Sequence, residues 1–458
     1  MMSVPAETSS RTTEIGARSG SVGEVAFLAF PVVLQTISET IMQLVDSAMV
    51  GRLGATELGA IGFAGIWIWT LFVPFTGMGQ GVQAFVSRHD GAEEQARCGP
   101  WIWQAIWLLV PAMTVWMFAV AVLLPLLIGW IGPSPELAAA AIDYGYARLP
   151  GGPAVVANFV LMSFFRGVGD TRTPLYAVLG GIAVNVVLAY ALIFGELGMP
   201  ELGVAGAGYA ISAGSWTILA IQAAAVLRRT MRLRYHTAPC RPERDAMLRF
   251  LRTSAPIGGQ WLLDMTTFAI FASVVARMGD VSMAASQAML QLLSVSFMQA
   301  FAISIAAGTL VGRYIGGRDL EAAQRSYGSA QMLALGLALL VAILFVGVPE
   351  ALLGIFSRDA NVLELARPLL LLGAFFQVID AVGIVASGSL RGAGDTRWPF
   401  AVQATLAWAL RLPAVYVAAI WLEGGVFGAW VGELVYVLVL SLALVLRFRA
   451  GHWRSIRI

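Results

Sequence analysis

The chain has 458 residues, of which 58% carry hydrophobic side chains and only 12% are charged, and its mean hydropathy is +0.78. Soluble domains carry about 25% charged residues, so this composition excludes an ordinary soluble domain and places the chain in a lipid bilayer. The formal net charge of +2 says little about partners, because the distribution of charge matters more than its sum.

Apolar stretches long enough to cross about 30 Å of hydrocarbon recur along the whole chain. We predict twelve membrane-spanning helices, at residues 24–48, 59–84, 101–129, 138–162, 173–195, 203–227, 250–276, 282–310, 328–355, 364–388, 398–421 and 426–447. The first is too long, and contains too many polar groups (Glu39 and Asp46), to be the core of a cleaved secretory signal. We expect it to remain in the mature protein.

The fold class that follows is an all-α integral membrane protein of two lobes around a central cavity. Residues 1–20 are rich in Ser, Thr, Gly and Arg and contain too little apolar surface to fold. The predicted parts are a disordered cytoplasmic tail at 1–20, an N-lobe at 21–227 with helices one to six, a cytoplasmic linker at 228–249, a C-lobe at 250–447 with helices seven to twelve, and a cytoplasmic C-terminal tail at 448–458.

The arginines predict the orientation in the membrane. All 29 basic residues are arginine, and one predicted loop contains Arg228, Arg229, Arg232, Arg234, Arg241, Arg244, Arg249 and Arg252. Because basic loops stay in the cytoplasm, we predict a multi-pass protein with both termini inside. The membrane in which we expect it is a bacterial cytoplasmic (inner) membrane. Topology and anchoring to the lipid surface explain this cluster better than nucleic-acid binding, so we expect no nucleic-acid partner.

Cys98 and Cys240 fall in predicted cytosolic loops, where a disulfide is not expected.

The two halves repeat one plan. The segment 166–174 (RGVGDTRTP) recurs 225 positions later at 391–399 (RGAGDTRWP), with seven of nine positions identical. The same offset relates Pro31 to Pro256, Gln35 to Gln260, Glu39 to Asp264, Gly54 to Gly279 and Arg88 to Arg313. Six spans separate the copies, so both begin on the same face and are parallel repeats. Such duplication is more common in transporters than in membrane enzymes.

Acidic residues inside predicted spans are the first functional candidates. Placing a carboxylate at the bilayer centre costs about 2.5–3.5 kcal/mol of insertion free energy, so such a residue is a functional candidate by default. Four acids qualify, namely Glu39, Asp46, Asp264 and Asp380. The alternative is that they are neutral or paired groups that only help the helices to pack.

Polar neighbours of these acids follow helical spacing and should face the protein interior. They are Gln35, Glu39, Gln43 and Asp46 in the first span, Gln260, Asp264 and Thr267 in the seventh, and Gln377, Asp380 and Ser387 in the tenth. We predict that Asp264 and Asp380 share one cavity and exchange a proton for another cation there. Sodium is the alternative coupling ion, since carboxylate, amide and hydroxyl oxygens are hard ligands. We expect no cofactor and, apart from Na⁺ bound at these acids, no metal centre.

Arg411 lies near the middle of the eleventh span and needs a partner there. One hypothesis pairs it with Asp264 or Asp380. The other lets it extend along a tilted helix to the membrane interface.

The two RGxGDTR segments resemble phosphate-binding loops only superficially, because they lack the lysine and the strand-to-helix context. We interpret them as short cytoplasmic turns in which glycine permits a tight bend and the arginines face the inner leaflet. A gating contact at the cytoplasmic mouth is a further hypothesis.

Taken in order, several motifs resemble the MATE (multidrug and toxic compound extrusion) transporters over nearly the whole chain. They are Pro31 followed by 45–54 (VDSAMVGRLG), the two RGxGDTR turns, and 284–287 (AASQ) after the seventh span. The segments 262–266 (LLDMT) and 377–381 (QVIDA) resemble the acidic motifs of the NorM-like branch, although Asp264 stands where that branch commonly has glutamate.

The resemblance implies an antiporter that exports amphipathic, often cationic compounds in exchange for H⁺ or Na⁺. It implies that Asp264 and Asp380 couple cation binding to export. It also implies a second cation site in the N-lobe, formed by Asp46 and Asn185, although Ala189 stands where some members have a further polar ligand. We expect a monomer whose partners are its small-molecule substrates and the bilayer.

Two other functions remain in view. A flippase for a lipid-linked substrate would share this architecture, but its cavity should be strongly basic to hold phosphate. A membrane-embedded transferase would need a nucleophile, base or metal constellation near the interface and a sizeable soluble part. The predicted buried charges are mainly acidic and no such constellation is visible in the sequence, so transport is favoured.

Overall fold

The computed structural model describes residues 19–356 and 359–456, and every regular element in these ranges is a helix. The α-helices are α1 (Val22–Gly51), α2 (Ala55–Gln80), α3 (Val82–Gly91), α4 (Cys98–Ile131), α5 (Pro135–Arg148), α6 (Gly152–Gly167), α7 (Arg172–Phe194), α8 (Gly203–Val226), α9 (Arg229–Tyr235), α10 (Arg244–Ala276), α11 (Asp280–Gly316), α12 (Leu320–Gly347), α13 (Pro349–Leu353), α14 (Ala360–Gly392), α15 (Arg397–Leu406), α16 (Leu412–Tyr416) and α17 (Gly425–Arg449). Three 3-10 turns (Gln95–Arg97, Leu149–Gly151, His452–Ser455) and two π-helical turns (Ala407–Arg411, Val417–Trp421) complete the set. The all-helical prediction is confirmed.

Within the described ranges, eleven helical segments are long and apolar enough to cross a membrane. The predicted fourth span, 138–162, differs because the turn Leu149–Gly151 divides it into α5 and α6. Pro150 has no backbone N–H to continue the helix, and the glycines beside it are poor helix formers. The eleventh span is also irregular, since two π-helical turns flank α16.

Close helix packing in the C-lobe depends on small residues. A Cβ atom at Gly392 would lie 2.0 Å from the carbonyl oxygen of Gly308, and one at Gly388 would lie 2.5 Å from that of Ser304. The backbones of α11 and α14 therefore touch. Because lipid gives helices little hydrophobic drive to associate, such backbone approach is a principal source of packing energy in a membrane.

The hydrophobic core follows the two predicted lobes, with an exchange at one end. The N-lobe cluster extends to Ala246 and Phe250, which lie at the start of α10. Conversely, Leu28 near the start of α1 belongs to a cluster with Leu310 and Val385 of the C-lobe. The first helix of each lobe thus begins against the other lobe, which ties the lobes together at the end predicted to be cytoplasmic.

The arginine-rich linker lies along α4. The indole N–H groups of Trp103 and Trp107 donate to the carbonyl oxygens of Thr237 and Cys240, each over 3.0 Å. The next helix, α10, begins at Arg244, inside the range that the sequence assigns to the linker.

The predicted tail at 1–20 falls outside the described residues except for Ser19 and Gly20. Arg325 of α12 donates a hydrogen bond to the Ser19 carbonyl oxygen over 3.1 Å. At the other end, Trp453 is fully buried, so part of the 448–458 segment packs on the C-lobe.

Candidate ion and substrate site

A cavity of about 410 Å³ lies in the C-lobe between α10, α11, α14 and α17. Its polar lining includes Asp380, Glu433 and Gln377, and its aromatic lining consists of Phe268, Phe271, Phe297, Phe376 and Trp430. Gln377 is only 3% exposed; its amide N–H donates to the Ala338 carbonyl oxygen over 3.3 Å. Its Oε1 has no partner among the described residues, so a buried acceptor is available.

Asp380 and Asp264 occupy different positions relative to this cavity. Asp380 lines it, and none of the described residues donates a hydrogen bond to its carboxylate. Asp264 is not among the lining residues, although Met265 beside it is. Gln403 donates to Asp264 over 2.6 Å, and Asp264 lies within electrostatic range of Asp380. The two acids are neighbours, but only Asp380 faces the cavity directly.

Arg411 pairs with neither of its predicted partners. It is 5% exposed and forms two parallel hydrogen bonds to Glu433, from Nε to Oε2 over 2.8 Å and from Nη2 to Oε1 over 2.6 Å. Its Nη1 donates to the hydroxyl of Thr267. The pairing hypothesis named the wrong acid, since the ion pair is with Glu433 and Asp264 lies only within electrostatic range, and the burial of Arg411 rules out extension to the interface.

Glu433 is the functional candidate that the sequence reading missed. It is 5% exposed and lies in α17, inside the predicted span 426–447. The rule that selected the other four acids applies to it equally, since an intramembrane carboxylate is a functional candidate by default. The first, seventh and tenth spans each have a Gln residue at helical spacing from their acid. The twelfth span lacks this pattern, so no second sequence signal pointed to Glu433.

Repeat-related polar groups surround the first acid of each lobe. In the N-lobe, Arg166 donates to Gln35 over 3.2 Å, and Gln35 donates to Glu39 over 3.0 Å. In the C-lobe, Arg391 lies within electrostatic range of Asp264. The prediction that the RGxGDTR arginines face the inner leaflet is therefore wrong for the first arginine of each motif.

Arg166 and Arg391, the first arginine of each motif, each lie in the last turn of a helix, and each side chain is directed into its own lobe. In contrast, Arg172, the second arginine of the first motif, is exposed and lies over the ring of Phe27 at 5.2 Å. The turns themselves are as predicted, because Gly169 and Gly394 have φ of 80° and 76°, a region that favours glycine.

Gln260, the counterpart of Gln35, is placed differently. It is 4% exposed, and its amide nitrogen has no hydrogen-bond partner among the described residues. Asp264 is instead held by Gln403 of α15. The repeat therefore predicts the positions of these residues but not their hydrogen bonds.

Asp46 and Asn185 meet inside the N-lobe. The Asn185 amide donates to both carboxylate oxygens of Asp46, over 2.9 and 3.1 Å, and both residues are buried. Arg148 of α5 lies within electrostatic range of Asp46. Ala189, one turn after Asn185, is fully buried and adds no oxygen ligand. In the described part of the chain, no group of three or more His, Cys, Asp or Glu side chains is arranged to hold a metal ion.

The lobes also meet through two repeat-related arginines, Arg88 and Arg313. We use the name interlobe latch for these two arginines together with Gly91 and Gly316. Arg88 of the N-lobe donates to the carbonyl oxygen of Ala393, in the second RGxGDTR turn, over 2.7 Å. Arg313 of the C-lobe forms an ion pair with Asp90 over 3.0 Å and lies against the first turn, where a Cβ at Gly169 would be 2.6 Å from its Nη2.

The glycines of the latch follow the same symmetry. A Cβ at Gly91 would lie 1.8 Å from the carbonyl oxygen of Arg313, and a Cβ at Gly316 would lie 2.0 Å from that of Arg88. Backbone therefore meets backbone across the two lobes. This end of the molecule, which the arginine distribution predicts to be cytoplasmic, is closed.

Comparison with known proteins identifies a family and a set of structures with the same fold. The MatE family model matches the chain twice, at residues 31–191 and 256–417, and the matches begin at the repeat-related Pro31 and Pro256. A protein of Xanthomonas campestris named as a probable multidrug resistance protein, NorM, is 30% identical over 452 residues, which cover 98% of this chain and 97% of that one.

Solved structures share the fold. A Vibrio cholerae MATE transporter in its bent form superimposes with a TM-score of 0.84 at 19% identity, covering 95% of this chain and 97% of that one. A eukaryotic MATE transporter gives 0.83 at 17% identity over 94% and 96% of the two chains. A MOP superfamily transporter from Pyrococcus furiosus gives 0.85 at 20% identity over 95% and 97%.

Proposed function

Since the chain belongs to the MatE family, which both of its halves match, we propose that it exports amphipathic, often cationic compounds from the cytoplasm in exchange for H⁺ or Na⁺. Membership makes it a transporter rather than an enzyme, as the sequence predicts. The coupling ion, the substrate class and the placement in a bacterial cytoplasmic membrane with both termini inside are parts of the proposal. So is a monomeric state.

The C-lobe cavity is the observation that carries the proposal. Asp380 supplies negative charge, because the other lining acid, Glu433, is paired with Arg411, and the unpartnered Oε1 of Gln377 supplies an acceptor. Phe and Trp rings that surround these groups offer apolar faces and favourable contact with cations. An amphipathic cation satisfies all of these features, whereas a phosphate-bearing lipid would meet like charge.

Exchange follows from competition for the same carboxylates. When Asp264 and Asp380 bind a proton or a sodium ion, their attraction for an organic cation falls, and the compound is released. One-for-one exchange of monovalent cations moves no net charge, so the concentration gradient of the coupling ion drives it, and each additional coupling ion that enters contributes about 2.3 kcal/mol per 100 mV of membrane potential. Asp46 with Asn185, and Glu39 with Gln35, provide further acidic positions for coupling ions in the N-lobe.

In the same proposal, the interlobe latch opens and closes the cytoplasmic entrance during alternating access. With the latch closed, the cytoplasmic entrance is sealed; breaking it lets the two lobes rock about the cavity. Because Arg88 and Arg313 each reach the turn of the opposite lobe, the contact can form or break as one unit.

A matched pair of hydrophobic ions tests the substrate class. We expect the purified protein in detergent to bind tetraphenylphosphonium at least about tenfold more tightly than tetraphenylborate, because the two ions share a shape and differ in charge sign. Isothermal titration calorimetry measures both dissociation constants. Equal affinities, or tighter binding of the anion, would contradict a cation-selective cavity and favour a phosphate-bearing substrate.

A further inference from the structure

Arg411 is a cation built into the C-lobe. Its three guanidinium nitrogens are all engaged, two with Glu433 and one with Thr267. The guanidinium carbon also lies 5.0 Å from the ring centroid of Tyr436. A planar group held at three nitrogens and one face is well fixed, and a bidentate pair of this kind is not easily displaced by a freely diffusing cation.

Glu433 separates this built-in cation from the cavity. Its side chain is part of the lining, whereas Arg411 is not, and the Arg411 guanidinium contacts Thr267 of α10 and Glu433 of α17. Asp264 lies within electrostatic range of Arg411, and Asp380 faces the cavity. Three carboxylates thus lie near two arginines, since Arg391 is also within electrostatic range of Asp264, and one net negative charge remains when all five groups are ionised.

The local backbone fixes Arg411 in this place. It is the last residue of the π-helical turn Ala407–Arg411, and Pro413 follows two residues later. A π-helical turn inserts an extra residue into the helix and rotates the side chains that follow, and such turns are frequent at functional sites. The turn directs Arg411 toward α17 and away from the lipid, which an intramembrane arginine requires.

We propose that Arg411 determines the charge of the compounds that the cavity accepts. By occupying Glu433 it leaves Asp380 as the lining carboxylate that meets a transported cation, with Asp264 beside the cavity. The two lining acids and Arg411 together carry one net negative charge when ionised, which suits a monocation better than a dication. The inference rests on the proposed function, since it presumes that cations enter this cavity, and it adds that an internal arginine selects among them.

Ethidium and propidium test the inference, because they share one ring system and propidium carries one additional positive charge. The readout is the ratio of their dissociation constants for the purified protein in detergent, normalised to the wild type. For Arg411→Gln we expect a shift on the order of tenfold toward propidium, since the cavity gains one negative charge. For Glu433→Gln we expect a shift of similar size toward ethidium.

The double variant Arg411→Gln/Glu433→Gln separates charge from structure. It removes one charge of each sign, so the ratio should return to within about threefold of the wild-type value. Arg367→Gln is the matched control, because Arg367 also pairs with a glutamate, Glu350 over 3.3 Å, but both side chains are largely exposed. Its ratio should not change.

The inference is overturned if the wild type binds both dyes and the ratio stays within about threefold of the wild-type value in folded Arg411→Gln and in Glu433→Gln. If Arg411→Gln does not fold, the shift toward ethidium in Glu433→Gln and its reversal in the double variant still decide the matter, and the absence of that shift overturns the inference. Binding of neither dye by the folded wild type would instead overturn the proposed function, and this inference with it.

Discussion

Replacing Asp380 by asparagine is expected to reduce export of a lipophilic cation by at least about a hundredfold. Asp380 is the acid that lines the cavity without a hydrogen-bond donor among the described residues. Losing a charge-assisted contact of about 3 kcal/mol corresponds to roughly a hundredfold loss of affinity, and loss of the coupling ion adds to it. Asparagine has nearly the same shape as aspartate and no charge, so we expect the variant to fold in the membrane as the wild type does.

Asp264→Asn should act in the same direction, with a smaller effect on substrate binding because Asp264 lies beside the cavity and already accepts from Gln403. Ethidium accumulation in energised cells that express each variant at equal level measures the loss. Asp143→Asn is a suitable control, since Asp143 lies exposed on α5. Wild-type export by Asp380→Asn would remove Asp380 from the mechanism.

Alanine at Gly91 or Gly316 is expected to hold the interlobe latch open. The added Cβ atom would lie 1.8 or 2.0 Å from a backbone carbonyl oxygen of the other lobe, closer than non-bonded atoms approach. Overpacking of this kind costs about 1–3 kcal/mol, which changes a conformational equilibrium by roughly 5- to 150-fold. Each lobe should still fold, because the clash lies between lobes.

Spin labels at Ala96 and Gln324, which are exposed on opposite lobes beside the latch, report the opening as a distance distribution. The native Cys98 and Cys240 are first replaced. In Gly91→Ala and Gly316→Ala the longer distance should predominate, and export should slow. Gly328→Ala is the matched control, because a Cβ at Gly328 meets no atom within 4 Å. An unchanged distribution in both latch variants would show that this contact does not set the conformation.

Much of the fold follows from the sequence because two periodic signals agree. Apolar stretches of membrane length give the helices, and the 225-residue repeat gives the parallel lobes. The break at Pro150 was within reach of the same reasoning, since proline interrupts a helix. The π-helical turns around α16 were not, because they depend on how Arg411 packs against α17 rather than on local composition.

The candidate site was only partly predictable. Helical spacing correctly placed Gln35 beside Glu39, and the family resemblance placed Asn185 beside Asp46. Spacing along one helix carries no information about contacts between helices, so Glu433 as the partner of Arg411 could be found only in three dimensions. The same limit applied to Arg166 and Arg391, whose motif suggested a surface turn although both lie at helix ends directed inward.

The central claim is that a cation gradient drives export through the C-lobe acids, and ethidium efflux from proteoliposomes tests it most directly. A pH gradient and a sodium gradient are imposed separately, for the wild type and for Asp380→Asn. The account predicts that one gradient drives efflux in the wild type and that folded Asp380→Asn loses this dependence. Efflux that neither gradient drives, or equal behaviour of the two proteins, would contradict it.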